Sequence, residues 1–343
     1  MDKLIFLTII AMFTTIAIWF GMFMPQEHIS KKEVLFAVER GEGSRDIAMR
    51  LQEGGLIPSS SLFRLFVLVL GISGKLQAGT YLFSPSMSPI EISRKLAAGD
   101  VVKEEITVIE GWNLRDIGLL LENKGMFRAE ELWELAGFPA VDYRNAPNLP
   151  FPKDFLDDFP FLKDKPSFVG LEGYLFPDTY RVRAGESAKE SVKRMLSNFQ
   201  DKIADFENEI ARQKRTLFEV LTLASLLEKE VPSQKDRALV AGVLQNRLSL
   251  GMPLQVDATI SYLTGKKTVQ ITKDDTEIDS PFNTYKYPDF PLGPIANPGL
   301  QSIEAALFPK ENPYLYYLST LNGETIFSKT LEEHNAAKVR FLR

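Results

Sequence analysis

Within the first 200 residues of this sequence one stretch is written nearly twice. Val38, Gly41, Arg45-Asp46-Ile47, Leu51, Gly55 and Leu62 recur 70 positions later as Val108, Gly111, Arg115-Asp116-Ile117, Leu121, Gly125 and Leu132. A constant offset over so many positions means that one structural unit is used twice. Each copy reads as a short strand (34–38; 105–108), a glycine turn, and a helix opened by Ser44 or Asn113, both good N-cap residues. Ile47, Leu51 and the adjacent Met49 supply the apolar side of the first helix, and Ile117, Leu120 and Leu121 that of the second. Gly55 and Gly125 read as helix stops, and a second helix follows at 60–70 or 129–136. The first copy then closes with a strand (79–83) and a helix (88–98). The second closes with Gly173-Tyr174-Leu175-Phe176 as a strand and a helix over 187–199. Only the second copy carries extra sequence, 138–170, rich in proline and aromatics. That reads as an irregular excursion on a regular scaffold, a place where binding sites are built.

Residues 4–24 contain no charge. As a helix they would extend about 31 Å at about 1.5 Å per residue, which matches a hydrocarbon core of about 30 Å. Residues 1–25 are therefore expected to form a short tip and a single transmembrane anchor. A cleaved signal peptide fits less well, because the run exceeds a usual apolar region and no small-x-small site precedes Pro25. With so short an N-terminal tail, the large C-terminal part is expected outside the cytoplasm. The remaining length, in a chain of 343 residues that is 45% apolar and 25% charged, suits two or three folded domains.

The scarce residues narrow the chemistry. Forty basic against 45 acidic residues give a net charge of −5, so nucleic acid is not an expected partner. There is no cysteine and there are two histidines, His28 and His334. Disulfides, thiolate zinc sites and cysteine nucleophiles are excluded, and a serine triad would have to run through His334 alone. An enzyme built from this sequence would use carboxylates as acid and base.

In the second half, 216–231 is apolar over too broad an arc for a surface helix, so it reads as a central one. It ends with Glu228-Lys229-Glu230 before Pro232. A helix over 234–250 stops at Gly251, and Asn322-Gly323 marks a hairpin between strands 314–319 and 325–328. The most informative segment is LEGYLFPDTY, 171–180. Glu172 lies there between Gly170 and Gly173, among Leu171, Tyr174, Leu175 and Phe176. In water-poor surroundings its charged form would be disfavoured, as a general acid acting near neutral pH requires. An ordinary solvated glutamate at a strand entrance is the other reading.

The blocks LEGYLFPDTY, ASLLEKEV (224–231), MPLQVDAT (252–259), SPFNTY (280–285), GPIANPG (293–299) and FSKTLEEHN (327–335) occur in one order. Together they resemble the endolytic murein transglycosylase family, also called MltG or YceG-like, over nearly the whole chain. The strand–helix–helix–strand unit of 30–102 is similar to LysM modules. The resemblance implies an α+β protein: an N-terminal transmembrane helix, a LysM-like module at 30–102, and a catalytic domain at 103–343. The latter would combine a second LysM-like half (103–200) with a helical, loop-rich part (210–343).

It further implies cleavage of the MurNAc–GlcNAc β-1,4 bond within nascent peptidoglycan strands, leaving a 1,6-anhydroMurNAc end and limiting strand length, with Glu172 as acid and base. No metal or organic cofactor is implied. The implied partners are glycan strands, the membrane and peptidoglycan synthases. Glu228 and Glu230 are candidates to polarise the substrate or orient Glu172, or are solvated carboxylates closing a helix. Gln255 and Asp257 suit sugar hydroxyls, though Asp257 equally suits a helix cap. Asn283, Tyr285 and Asn297 suit a groove wall facing N-acetyl groups, or plain turn chemistry. Core packing is expected for Trp112 and Trp133, and a structural hydrogen bond for His334. Val256 and Phe282 depart from the family's usual wording, which expects a small residue and a tyrosine. Two rivals stay open: a two-carboxylate hydrolase using Glu228 or Glu230, and a peptidoglycan-binding scaffold without catalysis.

Overall fold

The computed structural model describes residues 5, 6, 12, 24–27, 32–39, 41–183, 185–231, 233–266, 271–320 and 323–341. The apolar run 4–24 and His28 lie almost wholly outside them. Among the described residues no helix is long and apolar enough to cross a membrane. The architecture is mixed α+β, with many helices and, among the described residues, three two-stranded sheets. Contacts divide the chain into two compact units, Met1–Glu105 with Arg181–Glu186, and Ile106–Tyr180 with Ser187–Arg343.

In the first unit, strands Val34–Val38 and Gly79–Phe83 pair antiparallel, with Phe36 opposite Tyr81. Alternation turns Phe36, Val38, Tyr81 and Phe83 inward, onto helices Ser44–Glu53, Ser60–Val69 and Pro89–Ala98. Ile47, Leu51, Phe63, Val67, Ile92 and Leu96 complete that core. Two details differ from the sequence expectation. Gly43, not Ser44, is the N-cap of the first helix, and Met49 faces solvent while Ala48 is buried. The helical stripe there turns one residue earlier than the apolar count suggests.

The second copy repeats the plan. Strand Lys103–Thr107 leads to helices Leu114–Asn123 and Ala129–Ala136, and Asn113 closes a capping box with Asp116. Its closing strand, however, is Thr179–Arg183 rather than 173–176. Residues 171–176 form turns instead, because their backbone is held by other groups: Leu171 N–H bonds Ala136 O at 2.6 Å, and Leu175 N–H bonds the Asn297 side chain at 2.9 Å. The excursion 138–170 leaves and returns at Gly137 and Gly170, which pack backbone to backbone. A Cβ on either would come within 2.6 Å of the other strand of chain. The loop is thus pinched shut directly before Glu172.

Behind this lies helix Leu217–Glu230, opened by a Thr216–Glu219 capping box. Val220, Leu221, Leu223, Ala224, Leu226 and Leu227 are all buried, which makes it the central helix the pattern calls for. Helices Gln234–Ser249, Asp257–Thr264 and Leu300–Leu307 pack on it. The hairpin Tyr316–Ser319 with Thr325–Ser328 and the helix Leu331–Phe341 complete the unit. Asn322 lies outside the described residues.

Candidate active site

Glu172 is 6% exposed, yet neither oxygen is bare. Leu114 N–H donates to both at 3.1 Å, the Tyr262 hydroxyl to Oε2 at 3.1 Å, and Asn297 Nδ2 to Oε1 at 3.1 Å. Each donor has a local cause. Leu114 is the first residue of its helix, so its N–H has no partner within the helix. Asn113 caps the amides of Arg115 and Asp116, leaving that of Leu114 to the carboxylate. Trp133 Nε1–H bonds Leu114 O at 2.8 Å and fixes the same peptide from the other side. Gly173, at φ +88, lets the chain turn against Pro294, where a Cβ would sit 2.7 Å from the ring.

Burial pushes the Glu172 carboxyl up to about 8, with Asp116 adding to the rise. The Leu114 amide, Tyr262 hydroxyl and Arg115 cation act in the opposite direction, but the loss of water outweighs them. Such a carboxyl still holds its proton at neutral pH, and its surroundings carry donors ready to receive the anion once the proton leaves.

A cavity of about 500 Å³ opens here, its wall including Trp112, Arg115, Glu230, Asp257, Tyr262 and Ile295. Glu230, on its wall, is a second perturbed carboxyl. Burial, with the nearby Asp257 charge, raises it to about 7. It accepts from Ala258 N–H at 3.0 Å and from the Tyr317 hydroxyl at 3.4 Å.

The other residues singled out from sequence separate into groups. Asn297 is fully buried: besides Glu172 and Leu175 it donates to Trp112 O at 3.0 Å, so it braces the acid and is no groove wall. Asn283 is likewise fully buried, donating to Thr276 O and Ile278 O and accepting from Tyr285 N–H, which is turn chemistry. Glu228 is a buried partner of Arg237 at 3.1 Å and accepts from Gly299 N–H, so it is not solvated. Gln255 stands exposed at φ +54, with its Oε1 bonded by Arg247 at 2.7 Å. Asp257 opens helix 257–264 without capping it; its carboxylate accepts from the Tyr285 hydroxyl and faces the cavity.

Trp112 corrects an expectation: it lines the cavity, while Trp133 is a buttress. His334 stacks on Tyr316 at 5.3 Å, and its Nδ1 has no hydrogen-bond partner among the described residues. Phe282 packs edge-on against Tyr262, and Val256 is buried. Sequence reading missed Tyr262, Leu114 and Arg115. Tyr262 lies at the end of the block begun by MPLQVDAT, one helical turn beyond Ala258, and that spacing was its only signal. Among the described residues no group of three or more His, Cys, Asp or Glu is placed to hold a metal ion.

A buried carboxyl stands beside a cavity of about 500 Å³ on a strand–helix–helix scaffold, and comparison with known chains supplies the family. The YceG-like family matches residues 36–340. An endolytic murein transglycosylase of Bacillus subtilis is 35% identical over 320 residues, 93% of this chain and 87% of the relative. One from Streptococcus pneumoniae is 29% identical over 327 residues, 91% of this chain and 59% of that longer relative. A crystal structure of a YceG-like protein from Listeria monocytogenes superposes with a TM-score of 0.59 at 32% identity, covering 90% of this chain and all of the other. The chain belongs to the YceG-like family.

Proposed function

We propose that this protein is an endolytic murein transglycosylase that cuts within peptidoglycan strands at the MurNAc–GlcNAc β-1,4 bond. The observation that carries this reading is the buried Glu172 carboxyl, which three donors meet and whose proton affinity burial raises. The similarity to relatives bearing that name supports it.

Glu172 gives its proton to the glycosidic oxygen as the C1–O bond breaks. The 6-hydroxyl of the same MurNAc attacks C1, and its proton returns to the Glu172 carboxylate. The bond lost is C1–O4 and the bond gained is C1–O6, so the product ends in 1,6-anhydroMurNAc and no water is consumed. The intramolecular hydroxyl supplies proximity that a hydrolase must obtain by binding water, which lets one carboxyl serve as both acid and base. Asp257, Trp112 and Arg115 are then cavity-wall contacts for the sugars, and Asn297 a positioning residue.

A second reading rests on Glu230, whose raised carboxyl also lines the cavity: a hydrolase with two carboxylates, leaving reducing ends. Residues 4–24 would anchor the protein in the membrane, with residues 30–102 a LysM-like glycan-binding or spacing module outside the cytoplasm and synthases as neighbours. Incubating the full chain in detergent with uncrosslinked nascent strands and reading product ends by mass spectrometry separates these readings. Anhydro ends that vanish in Glu172→Gln support the lytic one. Reducing ends support the hydrolase. Strand binding without any cleavage supports a scaffold.

A further inference from the structure

We infer that Tyr262 is a positioning residue for the catalytic acid, and that the excursion 138–170 serves the reaction by bracing it. This rests on the lytic reading of Glu172. Among the described residues three groups bond the Glu172 carboxyl, and of these Tyr262 alone also lines the cavity. Its hydroxyl stands between two fixed points: it accepts from Ala140 N–H at 2.9 Å and gives its own hydrogen to Glu172 Oε2. The Ala140 bond settles the direction of the hydroxyl, because the amide takes a lone pair and leaves the hydrogen for the carboxylate.

The excursion supplies that amide at a cost. Ala140 holds φ +61, an unusual conformation for a residue with a Cβ. Two residues earlier, Phe138 N–H bonds the Tyr143 hydroxyl at 2.8 Å, which ties the loop to itself beside Tyr262. The ring is seated edge-on against Phe282, centroids 5.4 Å apart. The first copy of the repeat has no such excursion and no glutamate at the corresponding place, so brace and acid occur together.

Charged neighbours of Glu172 are Arg115 and Asp116, both on helix 114–123; helix Leu217–Glu230 brings Lys229 and Glu230 to the same cavity, and the segment bearing Tyr262 brings Asp257 and Lys266. Tyr262→Phe leaves all of these in place and removes one donor to the ionised acid. Losing that donor raises the proton affinity of Glu172. Since Glu172 acts first as an acid, the basic limb of the kcat–pH profile then moves upward.

The test uses full-length protein in detergent, nascent uncrosslinked strands and counting of anhydro ends over pH 5–10. For Tyr262→Phe the expectation is a kcat roughly 10- to 100-fold lower at neutral pH, KM within about twofold, and a basic limb displaced upward by about one pH unit. Replacing Tyr262 with 3,5-difluorotyrosine keeps the ring and strengthens the donor, so the limb should move down. This second protein decides the matter should the phenylalanine variant unfold. An unmoved limb in the fluorinated protein, or a folded Tyr262→Phe with wild-type kcat and profile, overturns the inference while Glu172→Gln remains inactive. Wild-type protein making no anhydro ends overturns the lytic reading itself, and this inference with it.

Discussion

Glutamine at position 172 is expected to stabilise the protein, increasingly so as pH rises. The amide is neutral like the protonated acid, and its oxygen can accept from Leu114 N–H and the Tyr262 hydroxyl. The folded protein holds the Glu172 proton up to about 8, against an ordinary value of 4.5. Between those two values the folded state binds more protons than the unfolded state, so its stability falls as pH rises. The penalty is absent below about pH 4.5 and amounts to about 4 kcal/mol at pH 8, at about 1.4 kcal/mol per pH unit. The glutamine variant never incurs it.

The melting temperature of Glu172→Gln minus that of wild type should therefore be near zero at pH 4.5. It should reach roughly 8–16 °C at pH 8 for a unit of this size. The difference cancels every other titration common to both proteins. Scanning fluorimetry or calorimetry at pH 4.5, 6, 7 and 8 in one detergent reads it. A difference that stays flat with pH would mean that Glu172 titrates like a solvated carboxyl, and the acid assigned to it would lose its physical basis.

Three further outcomes follow from the site. Asn297→Ala strips a bond from Glu172, Leu175 and Trp112 at once and should lose about 2–4 kcal/mol, read by urea denaturation, together with most turnover. A wild-type midpoint would show that those bonds are dispensable. Arg237→Ala leaves Glu228 buried without its cation and should cost about 3–5 kcal/mol, whereas Glu228→Gln with Arg237 retained should cost less; equal effects would contradict the pairing. Glu230→Gln should keep anhydro ends while weakening strand binding, read as KM. A shift to no product at all would move Glu230 into the chemistry.

The fold was legible where periodicity and caps speak locally. The repeat placed both strand–helix–helix units, Asn113 caps its helix although Ser44 does not, and the all-round apolar pattern of 217–230 marked the central helix. Gly173–Phe176 was misread as a strand because apolar residues beside glycines look alike in strands and in turns. What decides is the Asn297 side chain, far away in sequence, which takes the Leu175 amide. The same blindness hid Tyr262. Nothing in its neighbourhood distinguishes a tyrosine that packs from one whose hydroxyl bridges Ala140 and Glu172, since that bridge joins three segments distant in sequence. Glu172 was legible only in part: apolar neighbours and turn glycines suit a carboxyl short of water, but they suit a solvated glutamate as well, and it is the fold that buries it. The roles of Asn283 and Asn297 could not be told apart, as each sits in a proline-flanked loop and only the fold shows which one faces the acid.

The chemistry of the cut end tests the account most directly. Uncrosslinked nascent strands treated with the full chain in water enriched in oxygen-18, then analysed by mass spectrometry, should yield 1,6-anhydroMurNAc ends without label, and none with Glu172→Gln. Labelled reducing ends would show water as the nucleophile and contradict the assignment of the MurNAc 6-hydroxyl and of Glu172 as sole acid and base.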